Sequence, residues 1–563
     1  MNPVRIGTRS SPLALWQARK VAHLLETSGI STKIIEITSS GDRSVGGDLA
    51  TSVGQFVHGI DEELLTGKID VAVHSSKDVP TFETPGISHL SYLERGCTSD
   101  VLLSQRTGKS TTLAEVLASN ASTTLPDVLA SLDRGATIGT VSGRRQSFLL
   151  SQRPDLLPLA VRGQVQTRLL RLKQGRVDAL VLAEVGLKRL HEDGALEDWM
   201  LALSCQRIDE AQWPTAPGQG AISVHCATNR FEEMSGFRKV LNHTATEKEV
   251  LSEREQLQHL GGGCLFPAGI RSKSGRLNVK VSPKNWRDLH CRGESFHTLD
   301  YNGPVEDFVA QAPEQKAEPP VVVNDGRQLI STLNSERLAM RLQSEGIRVV
   351  NHPVLDLQPL KGNWPHLNLD TISDRRKWPL LLLTSPFAAR CAAEISESIP
   401  EYRRIQWVAI GEGTARACFK LGITASICGR ARNSKDFATY IREHIEPTNL
   451  LLLPQSNRAD DSFGEALKQS GFEVQRWIGY ENKTKKVDSF TSSKDDVLLL
   501  SSPSSALAWV DNSLPIASTI LVMGESTKAQ LEKMEQFSES NVQVLKGPTA
   551  DYITQWWNET GEQ

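Results

Sequence analysis

Short apolar runs of strand length alternate with amphipathic stretches along almost the whole chain, and this pattern restricts the fold class to α/β. Val4–Gly7 reads as a strand. Leu15, Ala18, Ala22 and Leu25 then recur at steps of three and four, the spacing of one helical face. Lys33–Thr38, Ile69–Val73, Ala136–Gly139, Leu159–Val161 and Ala179–Leu182 read as further strands, with a helix around Gln164–Gln174. Strand–helix alternation of this kind predicts largely parallel sheets. A chain of 563 residues exceeds one core; at about 100–200 residues per domain it should form three to five.

The pattern also suggests boundaries. Residues 1–244 read as α/β throughout. Thr246–Gln258 looks helical and runs into Gly261-Gly262-Gly263-Cys264, within a smaller α+β unit over 245–311. Ala312–Pro320, APEQKAEPP, is polar and aperiodic and reads as a linker. A second α/β region follows over 321–563 and contains a weak repeat. Leu381-Leu382-Leu383-Thr384-Ser385-Pro386 precedes Gly411-Glu412-Gly413-Thr414, and Leu498-Leu499-Leu500-Ser501-Ser502-Pro503 precedes Gly524-Glu525-Ser526-Thr527. Two similar lobes facing one another would leave a cleft lined by hydroxyls. The same Ser and Thr residues would also serve as helix caps.

Several classes are excluded. No apolar run approaches the roughly 18 residues of a membrane helix. The opening residues Met1–Ile6 lack the features of a secretory leader. The eight cysteines are scattered without a CxxC pair, which argues against a zinc cluster and a disulfide framework. A cytoplasmic protein without a metal site is expected. The net charge of −3 gives no general attraction to nucleic acid or membrane.

Local charge is more informative. Between Arg144 and Arg189 lie eight arginines and two lysines against three acids, a local excess of seven positive charges. Arginine forks hold carboxylates and phosphates through paired hydrogen bonds, and Arg144-Arg145 follow a Gly-Thr-Val-Ser-Gly turn at the end of a strand, where α/β sheets collect ligands. A ligand with many carboxylates fits this stretch. Nucleic acid fits poorly, because Phe148 is the sole aromatic available for stacking there. A second strand end carries His74-Ser75-Ser76-Lys77-Asp78-Val79-Pro80, where a Lys-Asp pair could face a cationic ligand or form a loop ion pair. Three glycines before Cys264 suggest an uncrowded backbone able to display that side chain, although most free cysteines are simply buried.

IGTRSSPLALWQA, DVAVHSSKDVP, GTVSGRRQ, VRGQVQTRL, PGQGAI and GGGCLFPAG, in this order over about 1–310, resemble hydroxymethylbilane synthase, also called porphobilinogen deaminase. The resemblance implies two periplasmic-binding-protein-like α/β domains and a small third domain. It implies the joining of four porphobilinogens into hydroxymethylbilane with release of ammonia. Cys264 would carry a dipyrromethane cofactor through a thioether. Asp78 would stabilise the cation formed as ammonia leaves, with Lys77 beside it in substrate binding. Arg9, Ser11, Ser142, Arg144, Arg145, Arg162, Arg168 and Arg189 would bind acetate and propionate groups. The chain departs from the family at Thr51-Ser52-Val53-Gly54, where a Gly-Gly-Lys-Gly loop is usual, and at His58, Gly59 and His225, which replace a lysine and two acids.

The second half resembles uroporphyrinogen-III synthase through its linker, its paired hydroxyl turns and Trp477-Ile478-Gly479-Tyr480. That resemblance implies two flavodoxin-like lobes that cyclise hydroxymethylbilane to uroporphyrinogen III. Tyr480 would assist loss of the hydroxyl, and Thr384, Ser385, Thr414, Ser501, Ser502 and Thr527 would bind substrate. A bifunctional, monomeric enzyme with small-molecule substrates is the expectation. The alternatives are an active first half with a degenerate second half, and a non-catalytic carboxylate-binding protein.

Overall fold

The computed structural model describes residues 2–37, 55–81, 84–105, 108, 110–262, 266–316, 326–333, 336–429, 434–545 and 550–561. The chain divides into two compact units, one of residues 1–286 and 296–315 and the other of 287–295 and 316–563. Among the described residues no helix is long and apolar enough to cross a membrane.

The first unit holds three sheets. In the first domain the strand order is Thr32–Ile37, Val4–Arg9, Val71–Ser75, Ile222–Ala227, Ile87–Tyr92. In the second it is Leu157–Leu159, Thr137–Gly139, Ala179–Ala183, Asp100–Ser104, Ser204–Arg207. The opening helix, Pro12–Thr27, buries Ala18, Val21, Ala22 and Leu25 against Ile6, Val71, Val73 and Val224. Gln17 shares the buried face because its amide donates to Ser75 Oγ at 2.8 Å.

The sheets are mixed and not largely parallel as the alternation predicts. Ile222–Ala227 runs antiparallel to both of its neighbours, and so does Asp100–Ser104. The cause is connectivity. The chain leaves the first domain for the second just before Asp100 and returns just before Ile222, so each domain contains a strand entering from the other. One predicted strand is also displaced: Leu157–Leu159 pairs with Thr137–Gly139, while Ala160 and Val161 are buried beyond its end.

The third domain packs the helix Thr244–His259 on an antiparallel sheet of Ala268–Lys273, Arg276–Val281 and Leu299–Pro304. Leu257, Leu260, Ile270, Leu277 and Val279 form its core.

The second unit has two lobes, the second inserted into the first. One sheet is Val349–Asn351, Leu329–Ser331, Val497–Leu500, Thr519–Val522, Asn541–Val544, entirely parallel. In lobe order this is 2-1-3-4-5, the flavodoxin-like arrangement. The inserted sheet runs Leu355–Pro359, Val474–Thr484, Leu451–Ser456, Leu380–Leu383, Gln406–Ala409, Ile427–Cys428, with an antiparallel edge at Leu355–Pro359. Runs such as Leu380–Leu383 and Val497–Leu500 are apolar at every position because both faces of a parallel sheet are covered.

Candidate active site

The site of the first unit is built at the carboxyl ends of strands. Val4–Arg9 ends in Arg9, followed by Ser11, whose hydroxyl caps the helix Pro12–Thr27 by accepting from Ala14 N at 3.3 Å. Val71–Ser75 leads into a single 3-10 turn, Ser76–Asp78, which leaves Lys77 half-buried and Asp78 exposed. Across the cleft, Thr137–Gly139 leads to Ser142, the cap of the helix Gly143–Gln152 that carries Arg144 and Arg145. Arg162 and Arg168 follow the next strand, Leu157–Leu159.

These groups interact electrostatically. Burial lowers the Lys77 ammonium to about 8, with Asp78 and Asp100 opposing the shift and Arg145 and Arg144 adding to it. Burial likewise brings the Arg168 guanidinium to about 10, assisted by Arg145, Arg162 and Arg9 and opposed by Asp78. Residues of the first domain therefore face those of the second across one cleft.

The most heavily bonded group here is Asp100, which the sequence reading did not single out. Its fully buried carboxylate accepts from Arg144 Nη2 at 2.7 Å, Arg145 Nε at 3.0 Å and Nη2 at 2.5 Å, Trp213 Nε1 at 2.9 Å and Gln219 Nε2 at 2.9 Å. Burial alone would raise its pKa, but the Arg145 and Arg144 guanidiniums hold it well below the usual carboxylate range. Arg144 and Arg145 are therefore internally anchored, with further bonds to the carbonyls of Pro214 and Val181. Arg144 Nε is buried and has no hydrogen-bond partner among the described residues. Arg189 sits apart from this group, donating to Gly220 O at 2.8 Å over the ring of Trp16.

A narrow pocket connects these residues to the third domain. Lys77, Ser142 and Arg144 line it together with Thr81, Arg254 and the apolar Pro217, Leu257 and Phe266. Arg254, on the third-domain helix, bonds the carbonyls of Ser76, Val79 and Pro80, and Gln258 bonds that of Thr81. Thr81 Oγ1 in turn donates to Gly262 O at 3.3 Å. The segment following Asp78 and Gly262 are thus held together.

Cys264 and Gly263 lie outside the described residues, as do the loop Thr51–Gly54 and the side chain of His58. Of the two described glycines, Gly261 has open space around its Cα, whereas Gly262 is crowded. Gly261, at φ +70°, ends the helix Thr244–His259, and Gly262 N closes the turn onto Leu257 O at 3.0 Å. A Cβ on Gly262 would lie 2.5 Å from Phe266 Cγ. The helix end thus requires a glycine at 261, and the close Phe266 ring requires one at 262.

The second unit places its hydroxyls at the switch points of its sheets, where neighbouring strands send their connections in opposite directions and ligands of α/β folds gather. In the outer lobe Leu329–Ser331 and Val497–Leu500 are adjacent, and Ser501 Oγ lies 3.3 Å from Thr332 Oγ1. Thr332 went unnoticed in the sequence because no repeat marks it. In the inserted lobe Ser385 caps the helix Pro386–Ser398 and its hydroxyl lies 3.2 Å from Tyr480 Oη. Burial raises the Tyr480 phenol. Thr384 is half-buried beside it, and Ser502 caps Pro503–Asp511. Thr414 and Thr527 are 3% and 2% exposed, so those two turns present mainly the backbone of Gly411-Glu412 and Gly524-Glu525.

Comparison with known proteins accounts for both halves. A family model described as porphobilinogen deaminase, dipyromethane cofactor binding domain, matches residues 4–234. Porphobilinogen deaminase of Cytophaga hutchinsonii is 35% identical over 267 residues, covering 47% of this chain and 77% of that protein. The probable porphobilinogen deaminase of Methanocaldococcus jannaschii is 38% identical over 267 residues, 47% of this chain and 81% of that protein. The chain belongs to the porphobilinogen deaminase family. Beyond the deaminase region, a model described as uroporphyrinogen-III synthase HemD matches residues 336–543. Uroporphyrinogen-III synthetase from Helicobacter pylori aligns over 42% of this chain and 99% of that one, at 17% identity and a TM-score of 0.29. The protein is a bifunctional enzyme of tetrapyrrole biosynthesis, with a porphobilinogen deaminase domain joined to a uroporphyrinogen-III synthase domain.

Proposed function

We propose that the pocket bounded by Lys77, Ser142, Arg144 and Phe266 holds the cofactor, covalently attached at Cys264, and that the adjoining cleft extends a chain of porphobilinogens there. The observation that carries this reading is the buried Nε of Arg144, unpartnered among the described residues, on a residue that lines this pocket together with Thr81, which bonds Gly262 of the glycine run. A buried guanidinium nitrogen without an acceptor suits a carboxylate-bearing ligand. The apolar Pro217, Leu257 and Phe266 suit the flat ring that bears the carboxylate. When bound, the cofactor supplies the nucleophilic pyrrole carbon to which the first substrate is joined.

The chain's own residues then have distinct tasks. Asp78, exposed at the strand end, stabilises positive charge on the substrate ring as ammonia departs. Lys77, with its lowered ammonium, orients substrate carboxylate and sits near the pH at which it can exchange a proton. Arg9, Ser11, Ser142, Arg145, Arg162 and Arg168 hold acetate and propionate groups. Arg189 secures the crossing between domains, its hydrogen bond to Gly220 being the basis for that role.

In the second unit, Tyr480 donates a proton to the departing hydroxyl of hydroxymethylbilane. Ser385, Thr384, Ser501 and Ser502, with the backbone of the Gly411-Glu412 and Gly524-Glu525 turns that precede the buried Thr414 and Thr527, hold its carboxylates. The position of Thr332–Ser501 and Ser385 at the switch points of both sheets favours this reading over a degenerate second half.

Incubation of the purified chain with porphobilinogen tests the whole. The product should be the type III ring, and intact mass with peptide mapping should show two linked pyrroles on Cys264. An unmodified Cys264 in active protein overturns the anchor. Type I product alone overturns the second activity.

A further inference from the structure

Gln219 lies in the turn through which the chain returns from the second domain to the first, and it is 1% exposed. Its side chain bridges the two domains. Oε1 accepts from Lys77 Nζ at 3.3 Å, while Nε2 donates to Asp100 Oδ1 at 2.9 Å and to Thr98 O at 2.6 Å. Asp100 lies at the outgoing crossing and holds Arg144 and Arg145 of the second domain.

The turn itself is fixed. Gly218 and Gly220 have φ of 75° and 88°, and a Cβ on either would lie within 2.8 Å of Ser76 Oγ or of the Gly96 and Cys97 carbonyls. Arg95 Nε donates to Gln219 O at 2.9 Å and Arg189 Nη2 to Gly220 O at 2.8 Å. With the backbone clamped this closely, the hydrogen bonds to Lys77, Asp100 and Thr98 fix the amide.

We propose that Gln219 is a positioning residue of the deaminase centre: its amide ties Lys77 to the Asp100 anion that fixes Arg144 and Arg145, holding the cationic walls of both domains in register. The inference rests on the proposed role of Lys77. Lys77 is faced by Asp78 on its own turn and by Arg145, Arg144 and Asp100 from the second domain. Among these, Gln219 is the neutral acceptor on the ammonium, and an acceptor stabilises the charged form.

The test is Gln219→Met in the full chain, which keeps volume and removes both hydrogen bonds. A lost bond to a charged group should lower turnover about tenfold. The proposed role of Lys77 predicts an alkaline limb in the pH–kcat profile, and that limb should move down by about one pH unit in the variant, while the cofactor mass on the protein is retained. A residue that only stabilises the fold would lower the melting temperature and leave the limb in place. An unmoved limb overturns the inference. Should Gln219→Met fail to fold, Gln219→Asn retains an amide too short to reach both partners and should move the limb the same way; an unmoved limb there also overturns it. Lys77→Met separates the two readings: full turnover in that variant overturns the role of Lys77 itself, whereas impaired turnover with an unmoved limb in the Gln219 variants overturns only the relay.

Discussion

Asp61→Asn should stabilise the first domain at neutral and alkaline pH, and the gain should vanish in acid. Asp61 is 4% exposed and lies opposite His74, with Oδ1 and Nε2 3.7 Å apart and neither atom hydrogen-bonded among the described residues. Burial raises the carboxyl from 3.8 to about 7 and lowers His74 to about 4, so both are neutral near pH 6. His225 and His89 complete the cluster, with ring centroids 5.2 Å and 5.7 Å from neighbouring imidazoles. An acid whose folded pKa lies above its unfolded value destabilises the fold progressively as pH rises from the unfolded value to the folded one. At 1.36 kcal/mol per unit, ionisable Asp61 costs about 4 kcal/mol above pH 7, about 1.5 kcal/mol at pH 5 and nothing below the unfolded value. Asparagine carries no such cost, and its amide can donate toward His74.

The assay is hydrogen exchange by mass spectrometry on the full chain, following peptides over Val71–Ser75 and Ile222–Ala227, because a two-unit chain need not unfold in one step. Compared at the same pH, the variant should be more protected at pH 8 than wild type, and the difference should shrink toward pH 5. Equal protection at pH 8, or a gain independent of pH, refutes the reasoning.

Asp78→Asn should reduce porphobilinogen consumption by about two orders of magnitude with little change in melting temperature, the scale for one preorganised electrostatic group; near-normal turnover would remove Asp78 from the reaction. Arg144→Leu should destabilise the fold by about 3 kcal/mol in denaturant titration, because the buried Asp100 loses one of its two guanidinium partners, and should also impair cofactor loading measured by intact mass. Tyr480→Phe should lower the type III fraction, read by chromatography of the porphyrin isomers, without slowing porphobilinogen consumption.

Much of the architecture is legible from periodicity. The helix Pro12–Thr27, the helix Thr244–His259 and the buried strands of the second unit all follow from spacing and apolar runs, which are local properties. Motif order likewise picked out Lys77, Asp78, Arg144 and Arg145 as functional candidates. Strand direction was not legible, because Ile222–Ala227 and Asp100–Ser104 are antiparallel through the crossings between domains, and no local pattern encodes a crossing.

The partners of the charged groups were equally hidden. Eight arginines in one stretch announce a polyanionic ligand, yet the sequence places Asp100 more than forty residues from Arg144 and gives no sign that one carboxylate holds two of them. The repeat pointed to Ser501 but not to Thr332, 169 residues away in sequence and 3.3 Å away in space. The sequence by itself determined the element types, the fold class and the residue chemistry, since propensity and periodicity act over a few residues. Which guanidiniums are anchored, which threonines are buried and which glutamine spans two domains was decided only by the tertiary structure, because hydrogen bonds between distant segments depend on where the sheets bring them.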